Sequence, residues 1–558
     1  MLRSSIRHAL AVAAYALCVG AAAQTPPVRD EGRQLLEQQR AREREERLLQ
    51  ETPTPQGTAP AQLPSDFASP DDVADAEPLF LIERIALKGN SLLADNDVRA
   101  LINPFIGKRL GVNRINLLLR RLTRAYIDRG YITTRVYLGR QNLASGTLDV
   151  TVVQGTIEDI RINGEKPKSE CGLRLAFPTG REQILRLQDL EQGIDQLNRL
   201  PSNSAELQIG PGEEPGSSIV NINNQPQSRF RGVVGADNYG QDVTGQGRLR
   251  LGLEADNVLG LYESYGLTYV GSRDTNAVLL SSSLPVGYNT FSYNYYYSEF
   301  VNVIADTAVL FGRSQGHTFA WNRVLERGPS GKSSVDMSLG LRESRRDVND
   351  IELTPQRLAV LRVGANRLQR FSRGFVLVDG GVSTGLNAFG ATTDQGNLPR
   401  DAAHAQYTKL DASLSGSLQL SSRFTLSSQL AGQFTDQALF SSEQIFIGGA
   451  STVRGFPEGL LSGDRGAMVR NELQYNAPRA ASFLSTEIRL QPFLFLDGGS
   501  VELLSIGRLQ SLAGAGFGLR AVGRRLSAEL IVGKPLLWPD SIDVNSLRIH
   551  ATINYQFF

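Results

Sequence analysis

Leu547-Arg548-Ile549-His550-Ala551-Thr552-Ile553-Asn554-Tyr555-Gln556-Phe557, the last stretch before the terminal Phe558, alternates apolar and polar residues at every step. A period of two marks a β-strand with one apolar and one polar face. The same texture runs back to about residue 228. Leu526, Ala528, Leu530 and Val532 alternate with Arg525, Ser527 and Glu529. Phe291, Tyr293, Tyr295 and Tyr297 alternate mostly with Ser and Asn. Leu249, Leu251, Leu253 and Ala255 alternate with Arg248, Arg250, Gly252, Glu254 and Asp256. The second face thus carries full charges. A soluble sandwich would need a second sheet over each apolar face. A closed barrel with lipid outside and water inside needs none, and its outward aromatics suit the interface girdles.

Strands are read near 229–238, 246–258, 263–271, 275–285, 289–300, 316–326, 332–345, 356–369, 373–386, 406–420, 422–436, 466–476, 482–498, 508–522, 524–536 and 546–558. They number sixteen, and an even count with about 20 residues per strand and connection fits an outer-membrane barrel. Connections after even strands are short (286–288, 370–372, 477–481), whereas 387–405 and 437–465 are long. Short turns belong on the periplasmic side and long loops outside. The fold class is mainly β: a 16-stranded transmembrane antiparallel barrel preceded by a helix and two small α+β modules.

Composition agrees. The 558 residues carry 58 Lys+Arg against 57 Asp+Glu, a net charge of +1, which disfavours a nucleic-acid partner. Mean hydropathy is −0.20, and no run of 18 apolar residues exists, so the chain is not a helical membrane protein. Gly is abundant, at 55, as suits turns and twisted strands. The N-terminus reads as an export signal over 1–23: Arg3 and Arg7, the apolar stretch Ala9 to Gly20, then Ala21-Ala22-Ala23 before Gln24. Leu17 before Cys18 does not suit lipoprotein processing. Removal of the signal leaves Cys171 alone, expected as a small buried hydrophobe without an intrachain disulfide partner.

Residues 29–50, RDEGRQLLEQQRAREREERLLQ, are strong helix formers without Pro and polar nearly all round. They would make a helix about 30 Å long, either a solvated tail or a plug in a polar channel. Residues 51–78 hold six Pro and read as an extended linker. Next, Ile82-Glu83-x-Ile85-x3-Gly89 recurs as Ile157-Glu158-x-Ile160-x3-Gly164, displaced by 75 residues. In the first copy, strand 80–87 precedes helices at 95–102 and around Ile115, Leu118, Leu119, Leu122, Ala125 and Tyr126. Gly130 ends the second helix, and strands 132–138 and 147–153 follow. The second copy has strand 157–163, helices near 172–176 and 187–199, and strands 205–209 and 217–223. Arg129-Gly130-Tyr131, with Gly146-Thr147-Leu148-Asp149-Val150 and Gly155, resembles a POTRA domain. The modules are therefore taken as 79–155 and 156–227, both periplasmic, with the barrel at 228–558.

The loop 437–465 contains Gly448-Gly449-Ala450-Ser451-Thr452-Val453-Arg454-Gly455-Phe456 and then Gly463-Asp464-Arg465-Gly466. In the thirteenth strand, Ile488, Leu490, Leu494 and Leu496 face one way, so Asp497 faces the lumen with Glu487, Arg489 and Gln491. Val453, Arg454, Gly455 and Phe456, with Phe495-Leu496-Asp497-Gly498, resemble the TpsB-type two-partner secretion transporters of the outer membrane. These are the haemolysin and filamentous haemagglutinin secretion-activator family of the POTRA-barrel superfamily. The resemblance covers residues 29–558. It implies that the Arg-Gly-Phe tip lies inside the barrel and that Arg454 meets Asp497. With a polar lumen the pair is expected to be partly solvated and to contribute about 1–3 kcal/mol. The family's terminal assembly signal ends on Phe, whereas here the apolar register ends on Phe557, one residue before the terminus.

The resemblance implies an outer-membrane pore of a Gram-negative cell that recognises an unfolded β-rich exoprotein and passes it from periplasm to surface. An edge strand offering unpaired backbone groups would suit such a client, and Thr133, Thr134, Arg135, Val136, Tyr137 and Leu138 form the candidate edge. Other expected partners are outer-membrane lipid and, during biogenesis, periplasmic chaperones and the barrel-assembly machinery. His8, His317, His404 and His550 are scattered without metal-ligand spacing, and no phosphate-binding loop is present, so neither cofactor, metal nor enzymatic activity is expected. The alternative is a barrel-assembly insertase of the same superfamily, which usually has more modules and no plug. A passive porin would leave the modules unexplained.

Overall fold

The computed structural model describes residues 30–38, 69–75, 77–167, 169–304, 308–328, 330–476, 481–483 and 486–557. The export signal, residues 39–50 of the N-terminal helix and most of the linker lie outside them.

The first module packs helices Asp95–Ile102 and Val112–Asp128 on a three-stranded sheet. Thr147–Val153 is its centre, parallel to Arg84–Lys88 and antiparallel to Arg135–Leu138. The segment 80–87 is two strands rather than one. Phe80–Ile82 pairs instead with Lys108–Leu110, and the change of partner falls at Glu83, whose N–H donates to Gly146 O at 2.8 Å. The second module repeats the plan: Thr156–Ile162, helices Glu170–Ala176 and Leu187–Asn198, then Ala205–Pro211 and Ser217–Asn224. The repeated Gly89 and Gly164 have φ of +78° and +81°, the left-handed turn that glycine tolerates best. Cys171 is exposed, contrary to expectation. It sits in the first turn of a short helix whose core contacts come from Leu173 and Ala176.

The remaining strands close into an antiparallel barrel of sixteen. Most boundaries agree with the alternation, but the outer hairpin of the fifth and sixth strands is longer. These run Asn289–Ile304 and Ala308–Gly328. The seam joins the first strand, Phe230–Asp237, to the last, Arg548–Phe557. Leu249, Leu251, Leu253, Ile549, Ile553 and Phe557 are exposed on the outside, as a lipid-facing surface requires. The helix Leu187–Asn198 of the second module docks on the short-turn end. There Gln196 donates to Gly287 O at 2.8 Å, and Asp195 pairs with Arg327 and Lys332, each at 2.9 Å. The modules thus sit at the end opposite the long loops.

Candidate functional site

Two elements occupy the lumen. The first is the loop between the eleventh strand, Phe424–Phe434, and the twelfth, Arg465–Tyr475. It enters as a ribbon, Ile445–Ile447 against Leu461–Gly463, and turns at 448–460. Asp464 clasps its root, accepting from Leu439 N and Leu504 N at 2.8 Å each. At the tip Arg454 is 1% exposed and Asp497, on the thirteenth strand Thr486–Leu503, is 2% exposed. Arg454 Nε donates to Asp497 Oδ2 at 2.7 Å and Nη2 to Oδ1 at 2.9 Å, a bidentate pair. The Arg454 backbone N–H also donates to Asp497, at 3.1 Å. This burial corrects the expectation of a partly solvated pair. The tip carries its own apolar packing, with Val453 and Phe456 clustered on Ile447, Leu461, Val501 and Leu512.

Several members of this site were missed in the sequence. Glu472 accepts from Arg454 Nη1 at 3.0 Å and also pairs with Arg520 at 3.0 Å. The Arg454 guanidinium lies 4.1 Å from the Phe495 ring centroid. Arg470 donates to the carbonyls of Ser451 and Ala450 at 3.1 and 3.2 Å. Gly514, Gly516 and Gly518 make a column at every second residue of the fourteenth strand. A Cβ on Gly514 would stand 2.0 Å from Arg454 O, and one on Gly518 would stand 2.2 Å from the Phe493 ring. The glycines make room for the rings, and the rings support the arginine. A glycine column at dyad spacing was the available signal. Gly455 has φ of +98°, and its Cα would lie 2.7 Å from a Cβ placed on Gly533 of the neighbouring strand.

The second element is a helix over 31–38. Glu31 accepts from Arg248 at 2.9 Å, and Asp30 accepts from Ser298 at 2.5 Å. Arg33 pairs with Glu37 at 2.7 Å and with Glu443, at the loop root, at 3.4 Å. Glu443 also accepts from Lys409 at 3.0 Å and contacts Arg342. The seat is not wholly polar: Leu35 and Leu36 pack on Val270, Ala277, Leu279 and Tyr296, which face inward. Gly32 passes so close that a Cβ there would meet the Tyr296 ring at 2.7 Å.

In the first module Arg135–Leu138 lies at one edge of the sheet, with Tyr137 54% exposed. Thr133 and Thr134 precede the strand in a turn, and Thr134 Oγ1 accepts from Gly155 N at 3.2 Å. They therefore offer no edge. The structure brings Val453, Arg454, Gly455, Phe456 and Asp497 together and leaves 133–138 at a distance in the sequence-defined periplasmic module.

A polar lumen holding an inward loop and a helix, with paired α+β modules at the periplasmic end, defines a POTRA-bearing outer-membrane transport barrel. Residues 216–521 match the family described as haemolysin secretion/activation protein ShlB/FhaC/HecB; residues 80–155 match the ShlB-type POTRA domain, and 156–211 a POTRA domain. The outer membrane transporter CdiB of Dickeya dadantii is 30% identical over 493 residues, covering 86% of this chain and 87% of that protein. The hemolysin transporter protein ShlB of Serratia marcescens is 30% identical over 470 residues, covering 82% and 80%. The solved structure of CdiB from Escherichia coli superposes with a TM-score of 0.83 at 28% identity, covering 94% of this chain and 97% of that one. The chain belongs to the ShlB/FhaC/HecB family and is an outer-membrane transporter of the two-partner secretion type.

Proposed function

We propose that the chain exports an exoprotein through a lumen closed at rest by the helix over 31–38 and by the loop tip at Arg454. In this reading residues 1–23 are the export signal, 29–50 the plug, 51–78 its tether, 79–155 and 156–227 the client-receiving modules, and 228–558 the pore. The carrying observation is that both lumenal elements are held by side-chain contacts to the inner wall, while the described wall strands remain paired in a closed barrel around them. A gate must be removable without opening the barrel, and this one is. Edge strand Arg135–Leu138 supplies the docking edge, since an extended client can add to exposed backbone groups. Nothing in this route needs bond chemistry, and no enzymatic step is assigned.

The test is deletion of residues 30–38 in the full-length transporter, followed by single-channel recording in planar bilayers and a secretion assay with a co-expressed exoprotein. Conductance rises if the helix closes the pore, and unchanged conductance refutes the plug. Replacement of Tyr137 by Pro tests the edge: barrel insertion persists and secretion falls. Undiminished secretion refutes the edge assignment.

A further inference from the structure

The lipid-facing surface of the sixth strand has an arginine at each border. Arg313 and Arg323 both point outward, as do Phe319 and Trp321 between them, while Ser314 and Thr318 on the other face are buried in the lumen wall. Ten residues span roughly 34 Å of strand, or about 26 Å of height at a tilt of ~40°, matching the apolar band of such barrels. Arg323 is at the periplasmic border, because neighbouring Val324 N donates to Tyr288 O in the turn that holds the second module. Arg313 therefore stands at the outer border. Directly beneath it the surface is aromatic: His317 Nδ1 is 2.9 Å from Tyr293 Oη, and the His317 ring lies 5.0 Å from that of Tyr295.

The charges at that height are poorly matched. Arg313 is directly opposite Arg345 in the register, and like charges across a ladder destabilise it. One carboxylate oxygen, Glu343 Oε1, serves both Arg345 (2.9 Å) and Arg357 (3.1 Å). Among the described residues Arg313 makes no hydrogen bond or ion pair. Glu299, across from it, accepts from Tyr297 at 3.1 Å and Asn276 at 3.2 Å, and Asp347 stands one outward position farther from the band. The opposite side of the rim is different: Arg465 forms a bidentate pair with Glu502, at 2.9 Å in both bonds.

We propose that Arg313, Arg345 and Arg357 bind the phosphorylated headgroup of a lipid in the outer leaflet. The guanidinium fork suits phosphate bidentately, and a phosphate between Arg313 and Arg345 turns their repulsion into attraction. The headgroup level is where these side chains stand, and the aromatic and aliphatic band below receives the acyl chains.

The test is native mass spectrometry of the full-length transporter in detergent, titrated with a diphosphorylated glucosamine-based glycolipid or with its dephosphorylated form. Wild type prefers the phosphorylated lipid by about tenfold or more, as charge-assisted hydrogen bonds imply. Arg313→Gln/Arg345→Gln loses that preference, Arg313→Lys/Arg345→Lys keeps most of it, and Arg465→Gln leaves it intact. Heat-modifiable migration in gels confirms that each barrel is folded. Should the double Gln variant misfold, Arg313→Gln alone serves, with a loss of several-fold expected. Retained preference in a folded Gln variant, equal loss in Arg465→Gln, or displacement of the lipid by millimolar inorganic phosphate overturns the proposal.

Discussion

Replacing Arg454 by Ala removes two of its three hydrogen bonds to Asp497 and leaves the backbone one at 3.1 Å. Asp497 keeps that contact and Asn471 N at 3.3 Å, while Glu472 keeps Arg520. Removing one member of a buried ion pair costs about 3–5 kcal/mol. The cost falls on the loop tip, because the strands beneath retain their ladders. About 4 kcal/mol changes the balance between seated and unseated tip by roughly 10³. The distance between spin labels at the exposed Ser451 and at the exposed outer-rim Ser505 reads that balance. Arg454→Ala should insert, migrate as a folded barrel, broaden the Ser451 distance distribution and secrete poorly. Asp497→Ala should be milder on the tip, since Arg454 retains Glu472 at 3.0 Å. The double variant should be no worse than Arg454→Ala, because one interaction is lost in all three. Losses that multiply, or a Ser451 distribution left sharp by Arg454→Ala, would refute the reasoning.

Gly514→Ala puts a methyl 2.0 Å from Arg454 O; it should lift the tip at a cost of about 1–3 kcal/mol, and an unshifted Ser451 label would count against the close contact. Gly32→Leu drives a side chain into the Tyr296 ring and should raise conductance as the deletion of 30–38 does, whereas wild-type conductance would mean that the helix seat adapts. Burial raises Glu191, in the docking helix of the second module, from 4.5 to about 7, with Arg327 opposing and Asp195 adding to the shift. The raised value favours the protonated, docked form: that stabilisation is complete below about pH 4.5 and is lost as pH rises through about 7. Cross-linking between module and barrel should therefore weaken between pH 5 and 8 in wild type and stay flat in Glu191→Gln, and equal pH profiles would dismiss Glu191 as the cause.

Dyad alternation made the barrel legible because lipid on one side and water on the other select opposite residue types at successive positions. It reads the height of the membrane, not the length of the strand. The sixth strand begins at Ala308 rather than 316 because Arg313 and Gln315 take outward positions above the apolar band, where the pattern no longer marks the strand. The thirteenth continues to Leu503 for the same reason. Arg454 and Asp497 were legible because a loop motif and a register parity pointed at one another. Glu472 was not, since it is an ordinary inward barrel residue until the loop is placed over it, and the Gly514, Gly516, Gly518 column signals a close approach at dyad spacing without showing what approaches. The segment 29–50 reads as polar nearly all round, yet Leu35 and Leu36 find an apolar seat because Val270, Leu279 and Tyr296 break the polar rule at inward positions.

The two lumenal elements are attached unequally, and this orders their release. The loop root is held apart from its tip, by Asp464 and by Glu443 with Lys409, so losing the Arg454 contact frees 448–460 without withdrawing the ribbon. Among the described residues, Arg33–Glu443 at 3.4 Å is the contact that joins the helix to the loop root. Burial of two leucines contributes about 3–6 kcal/mol, an upper figure because the vacated seat refills with water. A client bound at micromolar affinity supplies about 8 kcal/mol. That suffices to displace the helix, or to unseat the tip at about 3–5 kcal/mol, but leaves little margin for both at once. The physical expectation is stepwise opening, helix first, with the tip moving only when the client already lies in the lumen. Arg33→Ala discriminates: if the steps are separate, it should raise the frequency of helix release in single-channel traces while leaving the Ser451 distance distribution at its wild-type width, and joint movement of both readouts would show a single concerted gate.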